Sequence, residues 1–68
     1  MDIHVNGNQV SLETNEHTIV ALLQSQGFEQ FKGLAVAINE QIVPRNQWET
    51  TLLQSNDQVL IITATQGG

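Results

Sequence analysis

The residues with the clearest chemical potential stand at the C-terminus, where the sequence reads TATQGG. Glycine lacks a Cβ, so Gly67 and Gly68 can enter a channel too narrow for a side chain and adopt whatever φ it requires. Extended residues span at most about 3.3–3.6 Å each, so the four residues after Ala64 can project roughly 13 Å from a folded domain. The α-carboxylate of Gly68 is therefore the first candidate reactive group.

The rest of the sequence offers nothing that would activate a carboxylate. There is no cysteine, which excludes a thiol nucleophile, a disulfide framework and a thiolate metal site. No phosphate-binding Gly-x-x-x-x-Gly-Lys loop is present. His4 and His17 lack the spacing of a helical metal site, and no serine has an evident histidine partner. We therefore expect a protein that is not an enzyme, with no bound cofactor or metal and with catalysis supplied by partners.

Charge and length limit the possible partners further. The 68 residues allow one domain, and the net charge is −5, with Lys32 and Arg45 as the only cations. Nucleic-acid binding requires a basic footprint, so we expect none. The sequence has no apolar run of the roughly 20 residues that cross a bilayer, and its first residues do not resemble a secretory signal. We expect no membrane contact and a cytoplasmic location.

The N-terminal segment predicts a β-hairpin. Ile3 and Val5 alternate with polar residues, and the same alternation resumes at Val10 and Leu12. Between them lies Asn6-Gly7, and an Asn-Gly pair flanked by alternating apolar residues is a strong hairpin signal.

The next segment changes to a helical period. Ile19, Leu22 and Leu23 form one apolar helix face. Thr18 is a plausible N-cap residue, and Gly27 can end the helix in the left-handed conformation. The pattern predicts a helix of about nine residues, which must be held by packing on a sheet because it is too short to be stable alone.

The second half of the chain predicts three more strands. The first covers Leu34–Ile38, and after a turn at Asn39-Glu40 a short strand covers 41–43, which Pro44 ends because it has no N–H to donate. The segment PRNQWETTLL is predicted to hold a single helical turn that buries Trp48 and a leucine. The final strand is QVLIITA, residues 58–64.

One helix and four or five strands in this order indicate an α+β fold. We predict a ubiquitin-like β-grasp: a mixed four- to five-stranded sheet with one main helix packed across one face, formed by residues 1–64, and a flexible diglycine tail at residues 65–68. The predicted core comprises Ile3, Val5, Leu22, Leu23, Val36, Ile38 and Leu52.

The final strand carries a second functional signal, because residues 59–62 are apolar on both faces. The face of Leu60 and Ile62 is either a partner surface or is covered by the PRNQWETTLL segment. Arg45 either pairs with a carboxylate such as that of Glu49 or contacts a partner. Trp48 is either a structural plug or a binding anchor. We name Leu60, Ile62 and Arg45 as the candidate partner surface.

Three stretches carry a family resemblance: AINEQIVPRNQW, NDQVLII and the terminal GG. Together they resemble the thiamine-biosynthesis sulfur carrier proteins (ThiS), within the ubiquitin-like β-grasp superfamily. The resemblance covers almost the whole chain, in length, element order and motif order.

The resemblance implies a protein cosubstrate. The carboxylate of Gly68 would be activated with ATP by an E1-like adenylating enzyme, to give the glycyl adenylate. Sulfur that originates from a cysteine desulfurase would then convert it to a thiocarboxylate (1-thioglycine). The thiocarboxylate would deliver sulfur to thiazole synthase, for the thiazole ring of thiamine. Thr65, Gln66 and Gly67 would occupy the partner's channel.

Three other readings share these features. The small subunit of molybdopterin synthase has the same fold and diglycine end, and would donate sulfur to the molybdenum cofactor. A ubiquitin-like modifier would conjugate its C-terminal glycine to lysines. A β-grasp interaction module would carry its terminal glycines without using them.

Overall fold

The computed structural model describes residues 1–13 and 17–63. Within those ranges the chain forms five strands, one α-helix and one 3-10 turn. In chain order these are β1 (Asp2–Val5), β2 (Asn8–Ser11), α1 (Ile19–Ser25), β3 (Leu34–Ile38), β4 (Gln41–Ile42), the 3-10 turn Arg45–Gln47 and β5 (Gln58–Thr63). The element order predicted from the sequence is confirmed.

The strands form one mixed sheet in the order β2-β1-β5-β3-β4. β1 and β2 are antiparallel, as are β3 with β4 and β3 with β5, whereas β1 and β5 run parallel. β5 therefore lies at the centre of the sheet and joins its N-terminal hairpin to its second hairpin.

Both hairpins close through two-residue turns with positive φ. Asn6 and Gly7 have φ of 51° and 86°, and Asn39 and Glu40 have φ of 50° and 72°. Two left-handed residues in succession are characteristic of the type I′ turn, whose twist matches that of the flanking strands. The chain therefore builds its two hairpins with the same turn geometry but with different residues at the second turn position.

Helix α1 begins as the sequence predicts, because the Thr18 hydroxyl accepts a hydrogen bond from the Ala21 N–H at 3.1 Å. The helix has seven residues rather than the predicted nine. Gln26 already leaves helical geometry with ψ of 5°, and Gly27 follows with φ of 91°. A left-handed residue at this point ends the helix, so the apolar pattern overestimates its length.

The helix packs on one face of the sheet and closes the core there. The buried cluster comprises Ile3, Val5, Leu12, Ile19, Leu22, Leu23, Val36, Trp48, Leu53, Val59 and Ile61, with Ile38 partly buried against it.

One predicted core residue is wrong: Leu52 is 54% exposed, whereas Leu53 is 2% exposed. The backbone here is extended, since Leu52 bridges Thr18 and the Leu53 N–H donates to the His17 carbonyl. Successive side chains on an extended chain point in opposite directions, so only one of the two leucines can face the core.

Trp48 is a structural plug rather than an exposed anchor. It is 2% exposed, and its indole Nε1–H donates to the Val43 carbonyl at 2.9 Å. Its ring meets Phe31 edge-to-face, with ring centroids 6.0 Å apart. A buried tryptophan requires such a partner for its N–H. The hydrogen bond to Val43 and the burial of the ring therefore hold the segment after β4 against the core.

Candidate functional site

The residues with the clearest predicted chemistry lie outside the described part of the chain. Thr65, Gln66, Gly67 and Gly68 belong to residues 64–68, whose structure is not described. Their roles stay predictions, as does a domain boundary between residues 64 and 65. The described residues do show which element precedes the tail: strand β5, which ends at Thr63.

Asparagine side chains from the two hairpin turns hold β5 from opposite sides. The Asn6 side chain makes two hydrogen bonds with Ile61: its Oδ1 accepts from the backbone N–H at 2.8 Å and its Nδ2–H donates to the carbonyl at 3.2 Å. On the other side, the Asn39 Oδ1 accepts from the Gln58 N–H at 3.0 Å. β5 is thus held at its first residue by Asn39 and at Ile61 by Asn6.

The Asn6 contact extends the parallel pairing of β1 with β5 beyond the end of β1. The backbone N–H of Asn6 donates to the Val59 carbonyl at 2.9 Å. The chain then turns away at Gly7. The Asn6 side-chain amide therefore supplies the two hydrogen bonds to the Ile61 backbone that a longer β1 strand would have made with its own backbone. An Asn-Gly turn signal predicts the hairpin but gives no sign of this second role.

Asn6→Asp is expected to lower the free energy of unfolding by about 2 kcal/mol, because a carboxylate keeps one bond to Ile61 but places an acceptor against its carbonyl. Urea denaturation followed by tryptophan fluorescence measures the change. Asn8→Asp is the matched control: it adds the same charge at the exposed start of β2, and should change stability by less than about 0.5 kcal/mol. Equal losses in both variants would attribute the effect to charge alone.

Asp57 supports the other turn. The residue is 8% exposed, and its carboxylate accepts from the Asn39 Nδ2–H at 3.0 Å and from the Gln54 N–H at 2.8 Å. Because both side-chain oxygens accept hydrogen bonds, this buried polar group is satisfied where it lies. Asp57 therefore orients Asn39, which in turn holds the start of β5.

The sheet face opposite the helix, here called the open face, carries exposed apolar side chains. Leu60 and Ile62 are 48% and 45% exposed, and Ile42 on the edge strand β4 is 68% exposed. Ala37 pairs with both Ile42 and Leu60, so these three side chains form one row across three strands. The segment after Pro44 therefore leaves this side of β5 uncovered.

The other half of the open face is polar. Asp2 accepts hydrogen bonds from Gln9 at 3.1 Å and from Ser11 at 2.8 Å. His4 lies 3.3 Å from the Gln58 amide nitrogen, measured from its Nδ1. Polar side chains of β1 and β2 thus border the apolar row. A polar rim around an exposed apolar patch is typical of an interaction site.

Arg45 lies apart from this row. It is exposed at the 3-10 turn and lines a pocket with Val20 of the helix, Phe31, Trp48 and Glu49, on the helix side of the sheet. The structure therefore brings Leu60 and Ile62 together without Arg45, whose contact with a partner stays a prediction. Ile42 is the apolar residue that sequence reasoning missed. Its strand, β4, has only two residues, which is too short to show a period-two alternation in the sequence.

Within residues 1–13 and 17–63, no three histidine or acidic side chains are grouped as metal ligands. In the same ranges no helix is long and apolar enough to cross a bilayer.

Comparison with known proteins gives the family. A model of the ThiS family matches residues 3–68. This chain belongs to the ThiS family. The sulfur carrier protein ThiS of Escherichia coli (strain K12) is 50% identical over 36 residues, which are 53% of this chain and 54% of that relative. The match thus spans about half the length of the curated relative.

Solved structures agree on the fold of this ThiS-family chain. The crystal structure of the thiamine biosynthesis protein ThiS from Geobacter metallireducens has a TM-score of 0.85 at 22% identity, with both chains fully covered. A solution structure of a thiamine biosynthesis protein from Geobacter metallireducens has a TM-score of 0.80 at 22% identity, covering 100% of this chain and 88% of that one. The predicted β-grasp is confirmed.

Proposed function

We propose that this ThiS-family chain is a sulfur carrier for the thiazole ring of thiamine. The Gly68 carboxylate attacks the α-phosphorus of ATP on an E1-like partner, which releases pyrophosphate and leaves a glycyl adenylate. A persulfide that received its sulfur from a cysteine desulfurase then attacks the acyl carbon and AMP departs, which leaves an acyl disulfide. A second thiol attacks the S–S bond of this acyl disulfide, forms a disulfide with the former persulfide cysteine and releases the thiocarboxylate. The resulting thiocarboxylate donates its sulfur to thiazole synthase. We propose the cytoplasm as the site of this reaction.

The observation that carries this proposal is the family match, which extends from residue 3 through Gly68. The match therefore includes the diglycine end on which the chemistry depends. The carrier role and the thiamine pathway are named for relatives that resemble this chain, which favours thiamine over the molybdenum cofactor.

In the described residues, the strand that leads into this tail is held in place on both sides. β5 is the central strand, it is held by Asn6 and Asn39, and it ends at Thr63, five residues before the C-terminus. The exposed side chains of Leu60 and Ile62 stand on the same strand. A partner that docks on them would hold the end of β5, from which the tail continues, and an activation step requires such positioning.

Thiocarboxylate formation provides the test. The purified protein is incubated with ATP, cysteine, a cysteine desulfurase and the host's E1-like adenylating enzyme, and its intact mass is measured. We expect a gain equal to the replacement of one oxygen by one sulfur, and no gain when ATP is omitted. A mass that stays unchanged with all components present would contradict the carrier role, and isopeptide-linked products would favour a modifier.

Complementation separates the two sulfur pathways. The gene is expressed in a thiamine auxotroph that lacks its own carrier and in a strain that lacks the small subunit of molybdopterin synthase. We expect growth without thiamine in the first strain and no restored molybdoenzyme activity in the second. The reverse result would assign the chain to the molybdenum cofactor.

A further inference from the structure

A shallow depression of about 290 Å³ lies on the open face beside Leu60. Its lining residues include Ala37, Leu60 and Glu40, together with Gly7 of the other turn. Both hairpin turns thus border the same depression. Among its described lining residues, Glu40 is the one with an ionised side chain.

Glu40 has a backbone conformation that is unfavourable for a residue with a side chain. It is the second residue of a type I′ turn, with φ of 72°. Left-handed backbone is unfavourable for residues with a Cβ, and glycine is preferred there. The chain follows that preference in its other hairpin, where Gly7 has φ of 86°. The turn at Glu40 is therefore less stable than the same turn with glycine.

The hydrogen bonds of this turn do not account for a glutamate. Among the described residues, Asn39 makes the side-chain bonds at the turn: its Nδ2–H donates to Asp57, and its Oδ1 accepts from the Gln58 N–H. The Glu40 side chain is exposed. Strained residues that persist without a local role are typical of functional sites.

Charge indicates what would meet this side chain. The chain carries a net charge of −5, and neither Lys32 nor Arg45 lines the depression. A negative group beside an exposed leucine is complementary to a surface that presents an apolar side chain next to a lysine or arginine.

From these observations we infer that Glu40 is a specificity residue for the activating partner. An apolar side chain of the E1-like enzyme fills the depression against Leu60 and Ala37, and an adjacent lysine or arginine of that enzyme pairs with the Glu40 carboxylate. The inference rests on the proposed function, since it names the chemistry of the surface that receives this carrier. The cation guides association, and the apolar contact holds the complex.

Two variants at this position separate binding from stability. Glu40→Gln removes the charge, and Glu40→Gly removes both the charge and the unfavourable backbone. We expect both to raise the Kd for the host's E1-like enzyme by about 5–10-fold at low salt, where screening is weak. The loss should nearly vanish at high salt. Glu40→Gly should also raise the Tm by a few degrees, because it relieves the turn.

Glu49→Gln is the matched control. It removes the same charge from the pocket on the helix side of the sheet, and should change the Kd by less than about two-fold. An equal loss in Glu49→Gln would attribute the effect to net charge and overturn the inference. Wild-type affinity in Glu40→Gln at low salt would overturn it as well.

The same experiment distinguishes this inference from the proposed function. If the wild-type protein gains sulfur and Glu40→Gln binds normally, only the role of Glu40 fails. If the wild-type protein is neither bound nor activated by the adenylating enzyme, the carrier proposal fails first.

Discussion

Gly68→Val is expected to abolish thiocarboxylate formation, with a loss of at least about 100-fold, because a misplaced reacting carboxylate forfeits most of the rate gained by positioning. Valine adds a branched side chain directly beside the reacting carboxylate and restricts the backbone of the last residue. The measurement is the rate of mass gain with ATP, cysteine, the desulfurase and the host's E1-like enzyme.

Folding provides the control for this variant. Gly68 follows the last described strand, so the urea midpoint of Gly68→Val should equal that of the wild type. Gly68→Ala should fall between the two in rate, since it adds a single methyl group. A wild-type rate in Gly68→Val would show that the partner's channel does not require a terminal glycine, and the proposed chemistry would then need another site.

Leu60→Asp is expected to raise the Kd for the adenylating enzyme by at least about 50-fold. The change removes an apolar contact at the β5 end of the row and leaves a charge to be buried in the complex. Titration of the labelled protein with the enzyme measures the Kd. Because Leu60 is 48% exposed, the fold should tolerate the substitution, and the Tm verifies that it does.

Leu52→Asp is the matched control for that variant. Leu52 is 54% exposed and lines a different pocket, at the β4 edge of the sheet. The same chemical change there should alter the Kd by less than about two-fold. Equal weakening by both variants would mean that added charge, rather than the open face, governs association.

The fold was predictable because its local signals agree with one another. Period-two alternation around Asn6-Gly7 and the helical spacing of Ile19, Leu22 and Leu23 all survive in the structure. Where extended chain carries two adjacent leucines, the pattern contains no information on which one faces inward. That is why Leu52 and Leu53 exchange roles.

The site was predictable only in part. Apolar residues at 59–62 indicate that β5 is unusual, but whether Leu60 is covered depends on where the segment after Pro44 packs, and sequence periodicity does not specify that. The contacts of Asn6 with Ile61 and of Asp57 with Asn39 join residues far apart in the chain. A single sequence gives no sign of such pairs, because their partners are set by topology.

The central position of β5 has a consequence for biosynthesis. β5 is the last strand of the described chain, yet it is the strand that connects the two hairpins. During translation the N-terminal hairpin and β3 share no neighbouring strand until residues 58–63 leave the ribosome. A chain truncated before that point would lack both the strand that completes the sheet and the diglycine end. Such a chain would also lack Leu60 and Ile62, so the exposed apolar surface of the open face forms only when the sheet is complete.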